Sequence, residues 1–300
     1  MRPTSLLAAL GLSLTVSAGP LSLPKRSLPA HPSTARNITS LNKPSILRRG
    51  EPSTGDDFPD DPPFPNNLNK VETAFNDALE LTSYVLFKID SDNDVFPHYF
   101  DPADKAEVKR IFETINNGDQ GNDMLNNVLI QLDDPENLCD DTDAVTLAYM
   151  GNSESDNPFI TLCPKAFNKK AVTILEHKDI NDPDANQFYA KCRADGGDIG
   201  GNVNYHMNTL GMTLLHEYLH FDKMIASSFG SIIDHGRAGY GAVGVYDSLP
   251  KDQARTNADS YAYYASHLLW SVLCIGETFD APRPGIDDAD PDCGASACEP

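Results

Sequence analysis

The chain has 300 residues, of which 44 are acidic and 23 basic, and its formal net charge is −21 with neutral histidines. So large a negative charge excludes nucleic acid and anionic membrane surfaces as principal partners, because both would repel the protein. No segment reaches the roughly 18 continuous apolar residues of a membrane-spanning helix. These properties favour a domain that works in water.

The N-terminus is typical of a secretory signal. Arg2 precedes a largely apolar run over residues 6–16, and residues 16–18 read Val-Ser-Ala, a set of small residues suited to a cleavage site. The apolar run is too short to span a bilayer. We therefore predict a signal peptide over residues 1–18 and a secreted, extracellular, monomeric protein.

Residues 19–49 are rich in Pro and Ser, contain no acidic residue and end with the dibasic pair Arg48-Arg49. Dibasic pairs are the usual cut sites of convertases in the secretory pathway. The segment before the cut is basic and the rest of the chain is strongly acidic, so a basic prosegment could lie on an acidic domain. We predict a propeptide over 19–49, with a disordered linker as the alternative, and a single domain over 50–300.

Apolar spacing and turn residues predict the elements of that domain. Most are helices, and the two strands are short, so we expect an α+β fold with a small sheet. In chain order these are an acidic, Pro-rich arm (51–67), two helices (71–86 and 104–115), two strands (145–150 and 159–163), a loop (181–204), a helix (207–224), a Gly-rich stretch (230–244), a long helix (253–273) and an irregular tail that contains cysteines (280–300). The six cysteines predict disulfide bonds in an oxidising compartment, without indicating how they pair.

One predicted helix carries the most informative motif of the chain, His216-Glu217-Tyr218-Leu219-His220. Residues four apart share one helix face, so the two imidazoles could bind one zinc ion from the same side. The glutamate follows the first histidine and could reach a water at the open zinc position. This HExxH pattern is typical of zinc hydrolases. The alternative is a surface helix with two solvated histidines.

A catalytic zinc site takes three protein ligands and a water, so a third ligand must come from elsewhere in the chain. A metzincin would need Gly at position 223 and His at position 226, where this chain has Lys and Ala, so that class is excluded. Asp234 follows His220 by a loop long enough to return to the metal and precedes a glycine-containing turn. It is our candidate, with His235, Asp259 and Glu277 as alternatives.

Asp259 is a second acid of interest, in the run Asn-Ala-Asp-Ser-Tyr over residues 257–261 of the predicted long helix. On a packed helix it could orient a zinc-bound histidine, which such sites commonly require. The alternative is an acid near a helix N-terminus, where the helix dipole favours negative charge.

Together these features resemble the deuterolysin group, the aspzincins, which are mostly secreted fungal zinc metalloendopeptidases. The resemblance rests on the HExxH run, an Asp in the loop that follows, the pair Tyr240-Gly241 and the run that contains Asp259. The Gly-Thr pair that precedes the Asp in that group is Ile-Ile here, and Asp234 and Tyr240 are further apart than in the group pattern. These differences indicate a divergent branch.

The resemblance implies a zincin-like catalytic domain that binds one Zn²⁺ per chain through His216, His220 and Asp234. It also implies peptide-bond hydrolysis of protein or peptide substrates. Glu217 would take a proton from the attacking water and pass it to the leaving amine. Tyr240 would donate a hydrogen bond to the oxyanion.

The same resemblance bears on how substrate would bind. We expect an extended peptide to lie along an edge strand over residues 145–150 and to pair with its backbone. Asp259 could be the acid of an S1′ pocket that favours Lys or Arg after the cut bond.

Two other functions remain open from the sequence. A secreted zinc-binding protein or surface antigen would hold the metal without proteolysis, although such proteins often lack the glutamate that this chain keeps. A structural wall protein with incidental histidines would bind no stoichiometric zinc.

Overall fold

The computed structural model describes residues 53–54, 67–117, 124–139, 146–168, 173–174, 199–274 and 279–287. The predicted signal peptide and propeptide, most of the arm, loop and tail, and Glu277 lie outside these residues. The described part is α+β, as predicted, and about half helical. Its helices are α1 (Asn67–Lys88), α2 (Phe96–Tyr99), α3 (Lys105–Asn117), α4 (Leu210–Leu219), α5 (Asp222–Ile225), α6 (Gly241–Val245), α7 (Lys251–Ala254) and α8 (Ala258–Leu273).

Four short strands form one sheet: β1 (Ser53–Thr54), β2 (Leu129–Gln131), β3 (Ala148–Gly151) and β4 (Phe159–Leu162). Their order is β1-β2-β4-β3, with β1, β2 and β4 parallel and β3 antiparallel to β4. The two predicted strands are confirmed as β3 and β4, and β3 lies at an edge of the described sheet. The sequence does not predict β1 or β2, because runs of two or three residues are too short to show alternation.

Helix α4 lies at the centre of the fold. All ten of its residues are buried, and it packs against α1 and α8. Thr209 caps its first turn, where the side-chain oxygen accepts a hydrogen bond from the N–H of Met212 at 3.2 Å. A helix that is apolar on nearly every side belongs inside a core. None of the described helices is both long and apolar enough to cross a membrane.

The predicted helix over 207–224 has different bounds in the structure. Met207 belongs to a short 3₁₀ turn, and α4 begins only after the cap at Thr209. At the other end, Phe221 has a ψ of 79°, outside the helical region, and the chain turns before the short α5. The HExxH run therefore occupies the last turn of α4, with His220 at its C-cap.

The prediction of one long helix over 253–273 is wrong. Helix α7 ends at Ala254 and α8 begins at Ala258, because Asn257 between them pairs with Ile233 in an isolated parallel bridge. Periodicity reports only which residues are apolar, so it cannot reveal this pairing with a remote segment. The break brings the start of α8 against the loop that precedes α6.

A disulfide bond joins Cys139, in the loop after β2, to Cys163 at the end of β4. Both cysteines are buried in a small cluster with Tyr149, and Phe159 packs against it. Cys274 is also disulfide-bonded. The prediction of disulfides is confirmed for these three cysteines, and the other three lie outside the described residues.

Helix α4 approaches α1 closely at Gly211. A Cβ added there would lie 2.4 Å from Cβ of Asp77 and 3.0 Å from the carbonyl oxygen of Ala74. Gly211→Ala should therefore push the two helices apart and lower the free energy of unfolding by about 1–3 kcal/mol, the usual cost of overpacking a core. Urea unfolding followed by circular dichroism measures this difference.

Met212→Leu is the matched control, because it changes the next residue of the same buried helix while conserving volume, and it should cost less than about 1.5 kcal/mol. Equal stability of Gly211→Ala and the wild type would show that α1 and α4 do not pack this closely.

Candidate metal centre

Three side chains converge at the C-terminal end of α4. His216 and His220 lie about one helical turn apart, and their Nε2 atoms are 3.2 Å from each other. Asp234 reaches them from the loop between α5 and α6, with one oxygen 3.2 Å from Nε2 of His216 and the other 3.3 Å from Nε2 of His220. Within the part of the chain that the structure describes, this is the one group of three His, Cys, Asp or Glu side chains that could hold a metal ion.

Hydrogen bonds on the far side of each imidazole determine which nitrogen faces the group. Nδ1 of His216 lies 2.7 Å from Oδ1 of Asp259, and Nδ1 of His220 lies 2.9 Å from the carbonyl oxygen of Ile232. Both partners are acceptors, so each Nδ1 carries a proton and donates it. Each Nε2 is therefore the nitrogen available to a metal, and both point toward Asp234.

The pKa shifts of the three side chains are those expected where a positive charge is favoured between them. Burial lowers the pKa of His216, but the carboxylates of Asp259 and Asp234 outweigh this effect and raise the pKa overall. Burial also opposes protonation of His220, whose pKa is raised mainly by its hydrogen bond with Asp234. Burial raises the pKa of Asp234, yet its contacts with both histidines lower it on balance. Positive charge is thus favoured between these residues, and a bound metal ion would supply it in place of protons.

The surroundings of one Asp234 oxygen bear on whether a metal would fit between these residues. Oδ1 is buried and accepts no well-aligned hydrogen bond, although Nε2 of His216 is 3.2 Å away. A buried carboxylate oxygen without a donor is costly and calls for an explanation such as an ion. A metal bound by the two Nε2 atoms would also satisfy this oxygen.

Glu217 lies next to the group and is only 4% exposed. The backbone N–H of Met150, in the edge strand β3, faces its carboxylate and acts to lower its pKa. Burial raises the pKa of Glu217, and although both neighbouring histidines act in the opposite direction, the pKa is raised overall. A carboxylate held in place with a raised pKa is suited to accept and return a proton.

Tyr240 borders the group from the loop before α6. Its ring stacks on the imidazole of His216, with 6.0 Å between ring centroids and 18° between planes. Burial of its hydroxyl, together with the nearby charge of Asp234, raises its pKa. The hydroxyl therefore stays protonated and can donate. Because the residue is 46% exposed, a molecule arriving from solvent could reach it.

Asp259 lies behind His216, on the side away from the metal position. One carboxylate oxygen faces Nδ1 of His216, and the other accepts a hydrogen bond from the N–H of Gly241 at 2.9 Å. The residue is 8% exposed. Because both oxygens are engaged within the protein, the geometry favours the orienting role predicted for Asp259 over recognition of a basic substrate residue.

His235, the adjacent alternative ligand, does not join the group. Its Nε2 lies 2.8 Å from the hydroxyl oxygen of Thr256, and its backbone N–H donates to Oδ1 of Asn257 at 3.1 Å. Sequence reasoning assigned no role to Asn257, although it begins the run that contains Asp259. The sequence prediction placed Asn257 inside one long helix, so its position before the start of α8 could not be seen.

No known family model matches the sequence, and no curated protein matches it significantly. The case for a function therefore rests on the chemistry of the site and on the motif resemblance.

The geometry predicts three direct ligands and one supporting residue. His216→Ala, His220→Ala and Asp234→Ala should each weaken Zn²⁺ binding by orders of magnitude, because each removes a ligand. Asp259→Ala should weaken it only about 10–100-fold, because it removes the partner that orients His216. Titration of the metal-free protein with Zn²⁺ against a competing chelator measures all four affinities.

His235→Ala serves as the control and should bind Zn²⁺ as the wild type does, since its ring faces Thr256. Loss of the metal by Asp259→Ala, with full retention by Asp234→Ala, would reverse the assignment of the third ligand.

Proposed function

We propose that this protein is a secreted zinc-dependent endopeptidase with a zincin-like catalytic domain, a divergent relative of the deuterolysins. The observation that carries this proposal is the convergence of His216, His220 and Asp234 beside the buried carboxylate of Glu217. A metal site with an adjacent proton acceptor is the arrangement of a metal-assisted hydrolase. The acidic chain and its signal-like N-terminus support a site of action outside the cell.

The spacing of the ligand atoms favours zinc. Zinc bonds to nitrogen and oxygen are about 2.0–2.1 Å long, and tetrahedral angles then place two ligand atoms about 3.3 Å apart. The two Nε2 atoms are 3.2 Å apart, and two different oxygens of Asp234 lie 3.2 and 3.3 Å from them, whereas one atom per residue gives a group within 4.8 Å. Two imidazoles and a carboxylate also form a three-ligand set of the kind that leaves a fourth zinc position for water. Magnesium and calcium prefer oxygen ligands throughout.

In the proposed reaction, Glu217 moves the proton. Zinc, when bound, supplies the Lewis acidity that lowers the pKa of a water at the site and polarises the carbonyl of the scissile bond. The carboxylate of Glu217 accepts a proton from the attacking water and delivers it to the leaving amine nitrogen. The N–H of Met150 faces the carboxylate, and the burial that raises the pKa of Glu217 makes it a stronger base toward the proton of water.

Tyr240 is the proposed donor to the oxyanion that forms when water adds to the carbonyl. In the structure its ring stacks on His216, and burial together with the charge of Asp234 keeps its hydroxyl protonated. A neutral hydroxyl beside the proposed metal site would stabilise the negative charge that develops on the carbonyl oxygen.

The edge strand β3 offers a place for an extended peptide. In the antiparallel pair of β3 and β4, the N–H of Cys163 donates to the carbonyl oxygen of Leu147. Hydrogen-bonded and non-hydrogen-bonded residue pairs alternate along such a ladder, so the backbone N–H and C=O groups of Ala148 and Met150 point away from β4. The N–H of Met150 faces Glu217, so the free edge of β3 lies beside the proposed proton acceptor. A peptide paired with the rest of the edge would carry its scissile bond to the site.

Glu217→Gln tests the chemistry apart from the metal. The variant should keep Zn²⁺ and lose hydrolysis about 10²–10⁴-fold, because an amide cannot accept the proton of water. Zinc content by mass spectrometry and cleavage of casein, with and without chelator, are the two measurements. Glu136→Gln, an exposed acid outside the site, is the matched control and should retain activity.

If Glu217→Gln cleaves casein at the wild-type rate, the proposed role of the carboxylate is wrong. If the fully processed wild type binds zinc and cleaves nothing, the protein is a zinc-binding protein without proteolytic activity.

Tyr240→Phe removes only the hydroxyl. It should leave Zn²⁺ bound and lower kcat roughly 10²-fold with a smaller effect on KM, since the lost hydrogen bond forms in the transition state. Steady-state kinetics on a single peptide give both constants. Tyr84→Phe, on α1, is the comparison variant, and a kcat for Tyr240→Phe equal to it would exclude Tyr240 from the reaction.

A further inference from the structure

Asn257 lies at the junction of α7 and α8, where it is fully buried. The backbone on both sides of it is paired with the loop that carries Asp234. The N–H of Ile233 donates to the carbonyl oxygen of Thr256 at 2.8 Å, and the N–H of Ala258 donates to the carbonyl oxygen of Ile233 at 3.1 Å. The residue directly before Asp234 is thus held in register with Asn257.

The side chain of Asn257 holds the residue directly after Asp234. Its Oδ1 accepts a hydrogen bond from the N–H of His235 at 3.1 Å. Asp234 is therefore fixed on both sides, by backbone pairing at Ile233 and by the amide at His235. A carboxylate held in this way has little freedom to leave the two histidines it faces.

The same amide also holds the other end of the loop. Its Nδ2 donates to the carbonyl oxygen of Gly239 at 2.8 Å and to the hydroxyl oxygen of Ser260 at 3.1 Å. The residue on the far side of Tyr240 is held by Asp259, which accepts from the N–H of Gly241. Tyr240 is thus fixed between two contacts with the start of α8, as Asp234 is.

Gly239 shows how closely the amide and the loop approach. A Cβ at this position would lie 2.4 Å from Oδ1 of Asn257 and 3.1 Å from Cβ of His235. Only a residue without a side chain leaves room for the amide between the two ends of the loop.

We infer that Asn257 is a positioning residue: its side chain fixes the loop from His235 to Gly239 so that Asp234 faces the two histidines and Tyr240 faces the same point. The inference rests on the metal part of the proposed function and does not depend on peptidase activity. A free loop would have to be ordered when the metal binds, and the loss of that order lowers affinity. An amide that fixes the loop beforehand removes this cost.

The test compares two buried asparagines that make the same kinds of contact. Asn204 accepts a hydrogen bond from the N–H of His206 at 2.9 Å and donates to the carbonyl oxygens of Ile199 and Asn202, but it contacts no residue of the candidate metal centre. Asn257→Ala and Asn204→Ala should therefore destabilise the metal-free protein to a similar degree. Only Asn257→Ala should change the metal site.

Three measurements on the full-length purified protein separate the two effects: the thermal midpoint without metal, the Zn²⁺ affinity against a chelator, and the visible absorption of the Co²⁺-loaded protein. We expect Asn257→Ala to bind Zn²⁺ about 10–100-fold more weakly, as for other residues that orient ligands, and to show altered Co²⁺ bands. Asn204→Ala should bind Zn²⁺ within about twofold of the wild type and keep its Co²⁺ spectrum.

Wild-type Zn²⁺ affinity and an unchanged Co²⁺ spectrum in Asn257→Ala would overturn the inference, as would an equal loss in Asn204→Ala. Should Asn257→Ala fail to fold, Gly239→Ala replaces it, because the added methyl group displaces the amide without removing it; that variant must weaken Zn²⁺ binding, and wild-type affinity overturns the inference.

The outcomes for the two proposals differ. A wild type that binds no Zn²⁺ defeats both the metal site and the positioning role. A wild type that binds Zn²⁺ but cleaves no peptide defeats only the peptidase, and the affinities of the asparagine variants still decide the role of Asn257.

Discussion

Two imidazole nitrogens and a carboxylate meet within 3.2–3.3 Å of one another at the end of α4, and this is stable only with positive charge between them. The hydrogen bonds behind the rings turn both Nε2 atoms inward, and one oxygen of Asp234 finds no donor among the described residues. Protonation of the histidines would supply the positive charge. A metal ion would supply that charge and would also contact the Asp234 oxygen that has no donor. The proposed roles of Glu217 and Tyr240 both depend on such an ion.

The neighbours of α4 each contribute to this arrangement. Helix α1 approaches closely at Gly211 and thereby holds the HExxH helix inside the core. The edge strand β3 supplies the N–H of Met150 to Glu217, and α8 supplies Asp259 to His216. The ligand histidines are thus placed by helix packing, whereas Asp234 and Tyr240 are placed by hydrogen bonds from the start of α8.

The sequence predicted those parts of the fold that depend on local spacing. The helices over 71–86 and 104–115, the two strands and the helical setting of His216 and His220 follow from periodicity, and the structure has them. The bridge between Ile233 and Asn257 could not be predicted, because it joins segments whose local sequences show no pairing pattern. That one contact explains both the break in the predicted long helix and the position of Asp234. Spacing alone had left the third ligand open among Asp234, His235, Asp259 and Glu277.

Because these residues are held in two different ways, a bound metal would stabilise some of them more than others. Histidines and Asp259 are held by the packed helices α4 and α8, so they keep their places whether or not a metal is bound. The loop with Asp234 depends on a few hydrogen bonds, each worth about 0.5–1.5 kcal/mol net. A metal at 100 times its dissociation constant stabilises the native state by about 2.7 kcal/mol, which exceeds any one of these bonds. A bound metal would therefore add to the hydrogen bonds that hold the loop with Asp234 and Tyr240, and the Asn257 amide would lower the cost of ordering that loop.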